Sequence, residues 1–103
     1  MCNTHVSSAL QRSIEAGALT ITAEVMPPRG VDPSTPLAKA KCLKGHAHAI
    51  NVTDGSRAVM RMSSLAFCRL LIEAGIEPVW QLACRDRNRI ALQADLLGAH
   101  ALG

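Results

Sequence analysis

The chain has 103 residues, of which 49% are apolar and 18% charged, and it carries a net charge of +3. Its basic residues are scattered and its only aromatic residues are one Phe and one Trp, which argues against a nucleic-acid-binding protein. No run approaches the roughly 18 apolar residues of a membrane span, and the first 17 residues lack the apolar centre of a signal peptide. We therefore expect a small cytoplasmic globular domain with no membrane partner.

Helices and strands alternate along the predicted chain. An apolar stripe predicts a first helix, and a stretch of alternating β-branched residues that ends at a Pro-Pro pair predicts the first strand. Later helices are expected to begin at Asp32 or Ser34, between Ala58 and Ser64, and at Asp86 or Asn88. The predicted elements are a helix over 4–16, a strand over 19–25, a helix to about 44, a strand over 47–53, a helix to about 74, a strand over 77–83 and a helix to about 100.

This order, one helix followed by three βα units that start near residues 19, 47 and 77, predicts an α/β fold with a parallel sheet and right-handed crossovers. Three such units can open either a doubly wound sheet or an eight-stranded barrel, and the period alone leaves both possible. The predicted last helix ends near His100, and a fourth strand would be expected to follow at residues 101–103; a three-stranded parallel sheet also has two open edges. We therefore expect residues 1–103 to be a single incomplete domain from a longer protein.

The four cysteines, at positions 2, 42, 68 and 84, contain no C-x-x-C pair, so a zinc site is not expected. Without a secretory signal they are expected to be free thiols. His46 and His48 would share one face of a strand, but no third ligand lies nearby in the sequence. No metal is therefore predicted.

Ligands of parallel α/β folds bind at the carboxyl ends of the strands, in the βα loops. Glu24 lies near the end of the first predicted strand. Burial there would favour its protonated form, as a general acid requires, whereas a salt bridge to Arg29 is the equally weighted alternative. Residues 53–56, Thr-Asp-Gly-Ser, would offer hydroxyl and backbone N–H groups to a phosphate or ribityl chain, or form an ordinary turn. The three arginines of residues 84–89 would grip an anion or lie on a solvated surface.

Three of these segments resemble methylenetetrahydrofolate reductases. Residues 22–29, Thr-Ala-Glu-Val-Met-Pro-Pro-Arg, resemble the family's first-strand signature. Residues 51–55, Asn-Val-Thr-Asp-Gly, resemble its second-strand segment. Residues 77–88 resemble its third-strand segment of the His-Leu-Thr-Cys type, and residues 96–103 resemble the helix before the fourth strand. Each motif is modest, but their order on successive strands is fairly specific.

The resemblance implies the first three βα units of a (β/α)8 TIM-type barrel that holds FAD at its carboxyl end. It implies an oxidoreductase in which NAD(P)H reduces FAD and the flavin then reduces 5,10-methylenetetrahydrofolate to 5-methyltetrahydrofolate, in one-carbon metabolism and methionine biosynthesis. Glu24 aligns with the family's acid, which promotes opening of the methylene bridge. The cofactor-binding positions are implied to be Thr53, Gly55, Gln81 and Cys84. The complete protein is expected to be a homo-oligomer, and these residues alone to be inactive.

Two departures from the family pattern stand at these loops. Gln81 occupies the place of a flavin-contacting His, and Asp54 replaces the usual aromatic residue; Gln can hydrogen-bond but cannot carry charge. Two other interpretations therefore stay open. One is a divergent, non-catalytic barrel that binds folate or a protein partner, and the other is a pterin-dependent methyltransferase barrel.

Overall fold

A computed structural model describes residues 7–103 and confirms the predicted α/β architecture. Its three strands form one parallel sheet in the order β1-β2-β3, with β1 at Thr22–Val25, β2 at Ala49–Val52 and β3 at Pro78–Trp80. Val25, Val52 and Trp80 lie side by side in the register. All three strands therefore end at one edge of the sheet, called the carboxyl edge below.

Within residues 7–103 four helices accompany the sheet, and the predicted order of elements is confirmed. They are α1 (Ala9–Glu15), α2 (Ser34–Leu43), α3 (Ser64–Glu73) and α4 (Arg89–Leu102), with a short 3-10 turn at Ser56–Ala58 between β2 and α3. The predicted start of the first helix, at residues 4–6, lies outside the described residues.

The helix starts follow from side chains that cap free backbone N–H groups. Ser63 accepts from the N–H of Ala66 and Asn88 from that of Ala91, so the Asn88 alternative, rather than Asp86, begins the last helix. α2 is the exception: the expectation that Asp32 or Ser34 caps it is wrong, because its N-cap is Pro33 and no side chain caps it. The Asp32 carboxylate instead accepts from the N–H of Ser34, the first residue of the helix, at 2.9 Å and turns the chain into α2. These short-range signals were readable in the sequence.

The hydrophobic core lies between the sheet and helices α2 and α3. Alternate strand residues point toward these helices, and Phe67 and Leu71 of α3 are fully buried against them. Full burial of a large apolar side chain stabilises a fold by about 1.5–3 kcal/mol. The core comprises Val25, Ala40, Ile50, Val52, Phe67, Cys68, Leu71 and Ile76.

The strands are shorter than predicted, and the expectation for β3 is wrong in one respect. A run from 77 to 83 covered on both faces was expected, whereas β3 spans three half-buried residues. Within residues 7–103 it is an edge strand. Trp80, the last residue of β3, is partly buried and packs against the core.

Helix α1 lies at the opposite, amino edge of the sheet. The Glu77 carboxylate, just before β3, accepts from the N–H groups of Ala9 at 2.7 Å and Leu10 at 3.2 Å. The apolar stripe predicted for α1 does not form its buried face, because Ile14 is 61% exposed while Ser13 is buried. Ser13 instead shares a 2.7 Å hydrogen bond with Thr20. A charged contact to the first turn therefore positions this helix.

None of the helices within residues 7–103 combines the length and apolar character needed to cross a lipid bilayer.

Candidate functional site at the carboxyl edge

The structure brings the sequence-predicted site residues Glu24, Thr53 and Gln81 to one edge of the sheet. Glu24 is the penultimate residue of β1, while Thr53 and Gln81 directly follow β2 and β3. The N–H of Thr53 donates to the carbonyl of Val25 at 3.4 Å and that of Gln81 to the carbonyl of Val52 at 3.3 Å, so the parallel pairing continues one step beyond the strands. Three βα loops thus open from a common rim, where ligands of parallel α/β folds bind.

Glu24 lies on the sheet face that points away from the helices. Its register partners are Asn51 on β2 and, one strand further, Val79 on β3. Adjacent strands are about 4.8 Å apart, so the Glu24 carboxylate and the Asn51 amide are neighbours on this face. Continuing the strand alternation by one step places Thr53 and Gln81 on the same face.

The expected burial of Glu24 is wrong for the described residues, because its side chain is exposed. Within residues 7–103 β1 is an edge strand, so no further strand flanks Glu24 on its outer side. The alternative of a salt bridge to Arg29 is not observed either, since within residues 7–103 Glu24 forms no ion pair. Its carboxylate is therefore free to meet a ligand.

Thr53 carries the clearest sign of an incomplete polar site. The residue is 5% exposed, and within residues 7–103 its Oγ1 has no hydrogen-bond partner. Burying an unpaired hydroxyl is unfavourable, and most such groups in folded proteins find a partner. A ligand with a polar edge would satisfy this hydroxyl, so Thr53 fits the flavin contact implied for it.

The loop after β2 has an unusual backbone. Gly55, Arg57 and Ala58 have φ values of 57°, 59° and 56°, in the left-handed region that non-glycine residues rarely adopt. Each such non-glycine residue costs about 1–2 kcal/mol. A Cβ on Gly55 would also lie 3.5 Å from the Arg85 guanidinium. The positive φ values thus make this segment a strained turn at the rim rather than an ordinary one.

Gln81 is fixed through its backbone, and within residues 7–103 its side chain forms no hydrogen bond. Its carbonyl accepts from the Oγ of Ser64 at 3.0 Å, and the same Oγ accepts from the indole N–H of Trp80 at 3.0 Å. Ser64 is 1% exposed and begins α3. The first turn of α3 therefore fixes the end of β3 from the core side.

The predicted arginine cluster is largely engaged within the protein. Arg85 donates to the carbonyl of Gly55 at 3.2 Å and pairs with Asp86 at 2.9 Å, which raises its pKa above the ordinary value. Arg87 pairs with Asp54 and with Asp95. A grip on a ligand anion by these two guanidinium groups would compete with their present partners. Cys84, a predicted cofactor contact, is exposed at the same turn.

Asp54 is the polar centre of the rim. Burial alone would raise the pKa of its carboxyl, but hydrogen bonds from Arg87 and from the N–H of Ala83 outweigh this effect and lower the pKa below 3.8. The hydrogen bond to Asp54 in turn raises the pKa of Arg87 above its ordinary value. Both groups are therefore charged near neutral pH.

Within residues 7–103 no group of three or more His, Cys, Asp or Glu side chains is arranged to hold a metal ion. The Nδ1 atom of His48 lies 3.0 Å from the backbone nitrogen of Ile21, at the amino edge. His48 therefore contacts the chain before β1 rather than the rim.

Sequence reasoning missed three residues of this site: Asn51, Ser64 and Arg87 in its pairing with Asp54. An Asn within the otherwise apolar segment Ala49–Val52 was a readable signal for the first, because such a polar side chain needs a partner. The partners of Ser64 and Arg87 depend on the strand register and carried no local signal.

Two comparisons with known proteins bear on this geometry. The family model described as Methylenetetrahydrofolate reductase matches residues 9–103. A search of curated proteins finds no match to the chain.

Proposed function

The chain belongs to the methylenetetrahydrofolate reductase family, and on that premise we propose that a barrel containing it is a FAD-dependent oxidoreductase. It would reduce 5,10-methylenetetrahydrofolate to 5-methyltetrahydrofolate with NAD(P)H as the electron donor. The observation that carries the proposal is the placement of Glu24, Thr53 and Gln81 on one rim and one face of a parallel sheet.

The residues present fit a flavin. The unpaired Thr53 hydroxyl supplies a hydrogen-bonding group at the strand end, and the Gln81 amide supplies both a donor and an acceptor one strand away. Gly55 adopts the positive φ of 57° that the intervening loop requires. When bound, the flavin supplies the two-electron carrier between the nicotinamide and the folate, so these three residues would act in binding and orientation.

Glu24 would act as the acid of folate reduction. Its proton would pass to a bridging nitrogen of the folate, opening the methylene bridge to an iminium group that accepts hydride. Asn51, its register neighbour, donates through Nδ2 to the carbonyl of Ala23 at 3.3 Å and so is fixed beside it. A carboxyl group works as an acid only in its protonated form, which a covered, water-poor site favours.

The three βα units described here are three of the eight that close a TIM barrel. A closed barrel would cover the face on which Glu24 lies. Residues 7–103 by themselves leave it open, so we expect the 103-residue chain alone to have no reductase activity.

The proposal is tested on a protein that contains this chain within a closed barrel. We expect a yellow protein with a flavin spectrum and NAD(P)H-dependent reduction of methylenetetrahydrofolate. Glu24→Gln should lower folate reduction by about 10²–10⁴-fold, the usual contribution of a general acid, while flavin reduction by NAD(P)H is retained. Glu73→Gln, which changes an exposed carboxylate on α3, is the matched control and should leave both steps unchanged.

Three outcomes would contradict the proposal. Equal loss of both half-reactions in Glu24→Gln would remove the acid role. A colourless protein that binds folate would favour a non-catalytic barrel, to which the Gln81 departure also points. Methyl transfer from a pterin without flavin would identify the methyltransferase alternative.

A further inference from the structure

A pair of charged side chains joins the ends of β2 and β3 where the backbone ladder stops. Asp54, two residues beyond β2, accepts from the N–H of Ala83 at 2.7 Å through Oδ2. Arg87, before α4, donates to both carboxylate oxygens of Asp54, with its NH2 group 3.3 Å from Oδ1. The side chains are 12% and 21% exposed, so the pair is largely shielded from water.

Arg87 also contacts Ala83 and helix α4. Its NH1 group also donates to the carbonyl of Ala83 at 2.8 Å, and its Nε pairs with Asp95 of α4 at 3.1 Å. Ala83 is thus held at its N–H by Asp54 and at its carbonyl by Arg87. Such charge-assisted, two-oxygen contacts fix geometry more strongly than neutral hydrogen bonds do.

The last backbone hydrogen bond of the β2–β3 ladder joins the N–H of Gln81 to Val52. Beyond it, the Asp54 carboxylate takes the place of the next strand carbonyl and continues the pairing to Ala83. Thr53 and Gln81 lie directly between the ladder and this contact. We infer that the Asp54–Arg87 pair is a positioning element that sets the spacing of Thr53 and Gln81 and thereby preorganises the flavin contacts. The inference rests on the proposed function for its ligand, but the structural part stands on the contacts alone.

The test compares three variants in the same barrel-containing protein. Asp54→Ala removes the acceptor of Ala83 and the partner of Arg87. Asp54→Asn keeps the shape and an amide oxygen for Ala83 but loses the charge. Asp86→Asn is the matched control, because Asp86 is an exposed carboxylate of the same loop and pairs with its neighbour Arg85.

Two quantities are measured at a temperature where all variants are folded. Hydrogen exchange of the Gln81 and Ala83 amides reports on the strand end without any flavin. We expect exchange at Ala83 to accelerate by about tenfold or more in Asp54→Ala, because a hydrogen bond to a charged group shifts an equilibrium by that factor. The Kd for FAD and the flavin absorption spectrum report on the site. We expect Asp86→Asn to leave the Kd unchanged. The Kd should rise in Asp54→Asn and rise further in Asp54→Ala, and the flavin spectrum should shift in Asp54→Ala.

The outcomes separate the two proposals. Unchanged exchange at Gln81 and Ala83 in Asp54→Ala would overturn the positioning role. Faster exchange with an unchanged Kd and spectrum would also overturn it, since a merely stabilising contact behaves in this way. A wild-type protein that binds no flavin would defeat the proposed function, while the exchange data would still decide whether the pair orders the strand end.

Discussion

The contacts of Asp54 predict a pH-dependent contribution to stability that one isosteric substitution can isolate. Asp54→Asn keeps the side-chain shape and one oxygen for the N–H of Ala83 but removes the negative charge that Arg87 faces. Arg87 keeps Asp95 and the carbonyl of Ala83, so it does not become an isolated buried charge. The variant therefore converts charge-assisted hydrogen bonds into weaker ones without creating a cavity.

The expected loss follows from those contacts. A hydrogen bond to a charged group contributes about 1.5–3 kcal/mol and a neutral one about 1, so the variant should lose about 0.5–2 kcal/mol near neutral pH. This lies below the 3–5 kcal/mol typical of a fully orphaned buried charge, because Arg87 retains its other partners. With a urea dependence of about 1–3 kcal/mol per molar for a small protein, the unfolding midpoint should fall by roughly 0.2–2 M.

The sign of the pH dependence is fixed by the direction of the pKa shift. Because the pKa of Asp54 is lower in the folded protein than its ordinary 3.8, its stabilisation is fully present above that value. It is lost as the pH falls through the depressed folded pKa, where the protonated side chain resembles Asn. The difference between wild type and Asp54→Asn should thus be constant above about pH 5 and shrink toward zero in strong acid.

Urea denaturation of the two proteins across this pH range, followed by circular dichroism, measures the difference. Asp86→Asn serves as the control and should show no resolvable change near neutral pH, because its side chain is 72% exposed. A wild-type-to-variant difference that is as large in strong acid as at pH 7 would refute the argument.

Two further predictions concern the core. Phe67→Ala should lower the free energy of unfolding by about 3–5 kcal/mol, because Phe67 is fully buried at the centre of the core. Met60→Ala should change it little, because Met60 is 75% exposed. Equal unfolding midpoints for the two variants would show that the core is placed wrongly. Burial raises the pKa of the Cys68 thiol to about 11. In a Cys2→Ser background at pH 8, a thiol reagent should therefore label exposed Cys42 and Cys84 rapidly and Cys68 only after unfolding. Rapid labelling of Cys68 in the folded protein would contradict its burial.

The order of elements could be predicted from sequence because its signals are local. Capping residues such as Ser63 and Asn88, and β-branched runs that end at Pro or Gly, mark helices and strands within a few residues. The strand ends were overestimated because pairing, not propensity, decides where a strand stops. β3 ends at Trp80, since beyond Gln81 the backbone ladder gives way to the Asp54 side chain.

The rim could be predicted only in part. Parallel strands must end together, so the meeting of Glu24, Thr53 and Gln81 followed from the fold class. The exposure of Glu24 did not, because it depends on which elements cover the sheet face. The Asp54–Arg87 contact joins residues 33 positions apart, and such a pairing is set by the register rather than by any local pattern.

The departure at position 54 from the family pattern has a physical consequence that a double-mutant cycle can measure. An aromatic side chain there could neither accept from the N–H of Ala83 nor pair with Arg87. Replacing Asp54 by an aromatic residue should therefore change stability in a way that depends on whether Arg87 is present. Asp54→Phe should therefore destabilise on its own, because Arg87 loses one of its two carboxylate partners and the N–H of Ala83 loses its acceptor. Arg87→Met should destabilise too, by leaving the carboxylate without its cation.

The double variant, Asp54→Phe with Arg87→Met, removes both charges at once and leaves an apolar contact. Its loss should be smaller than the sum of the two single losses by about 1–3 kcal/mol, the coupling expected of residues in direct contact. Denaturation of all four proteins at pH 7 gives this coupling. Additivity within about 0.5 kcal/mol would mean that the two side chains act independently, and the Asp at position 54 would then need an explanation other than its pairing with Arg87.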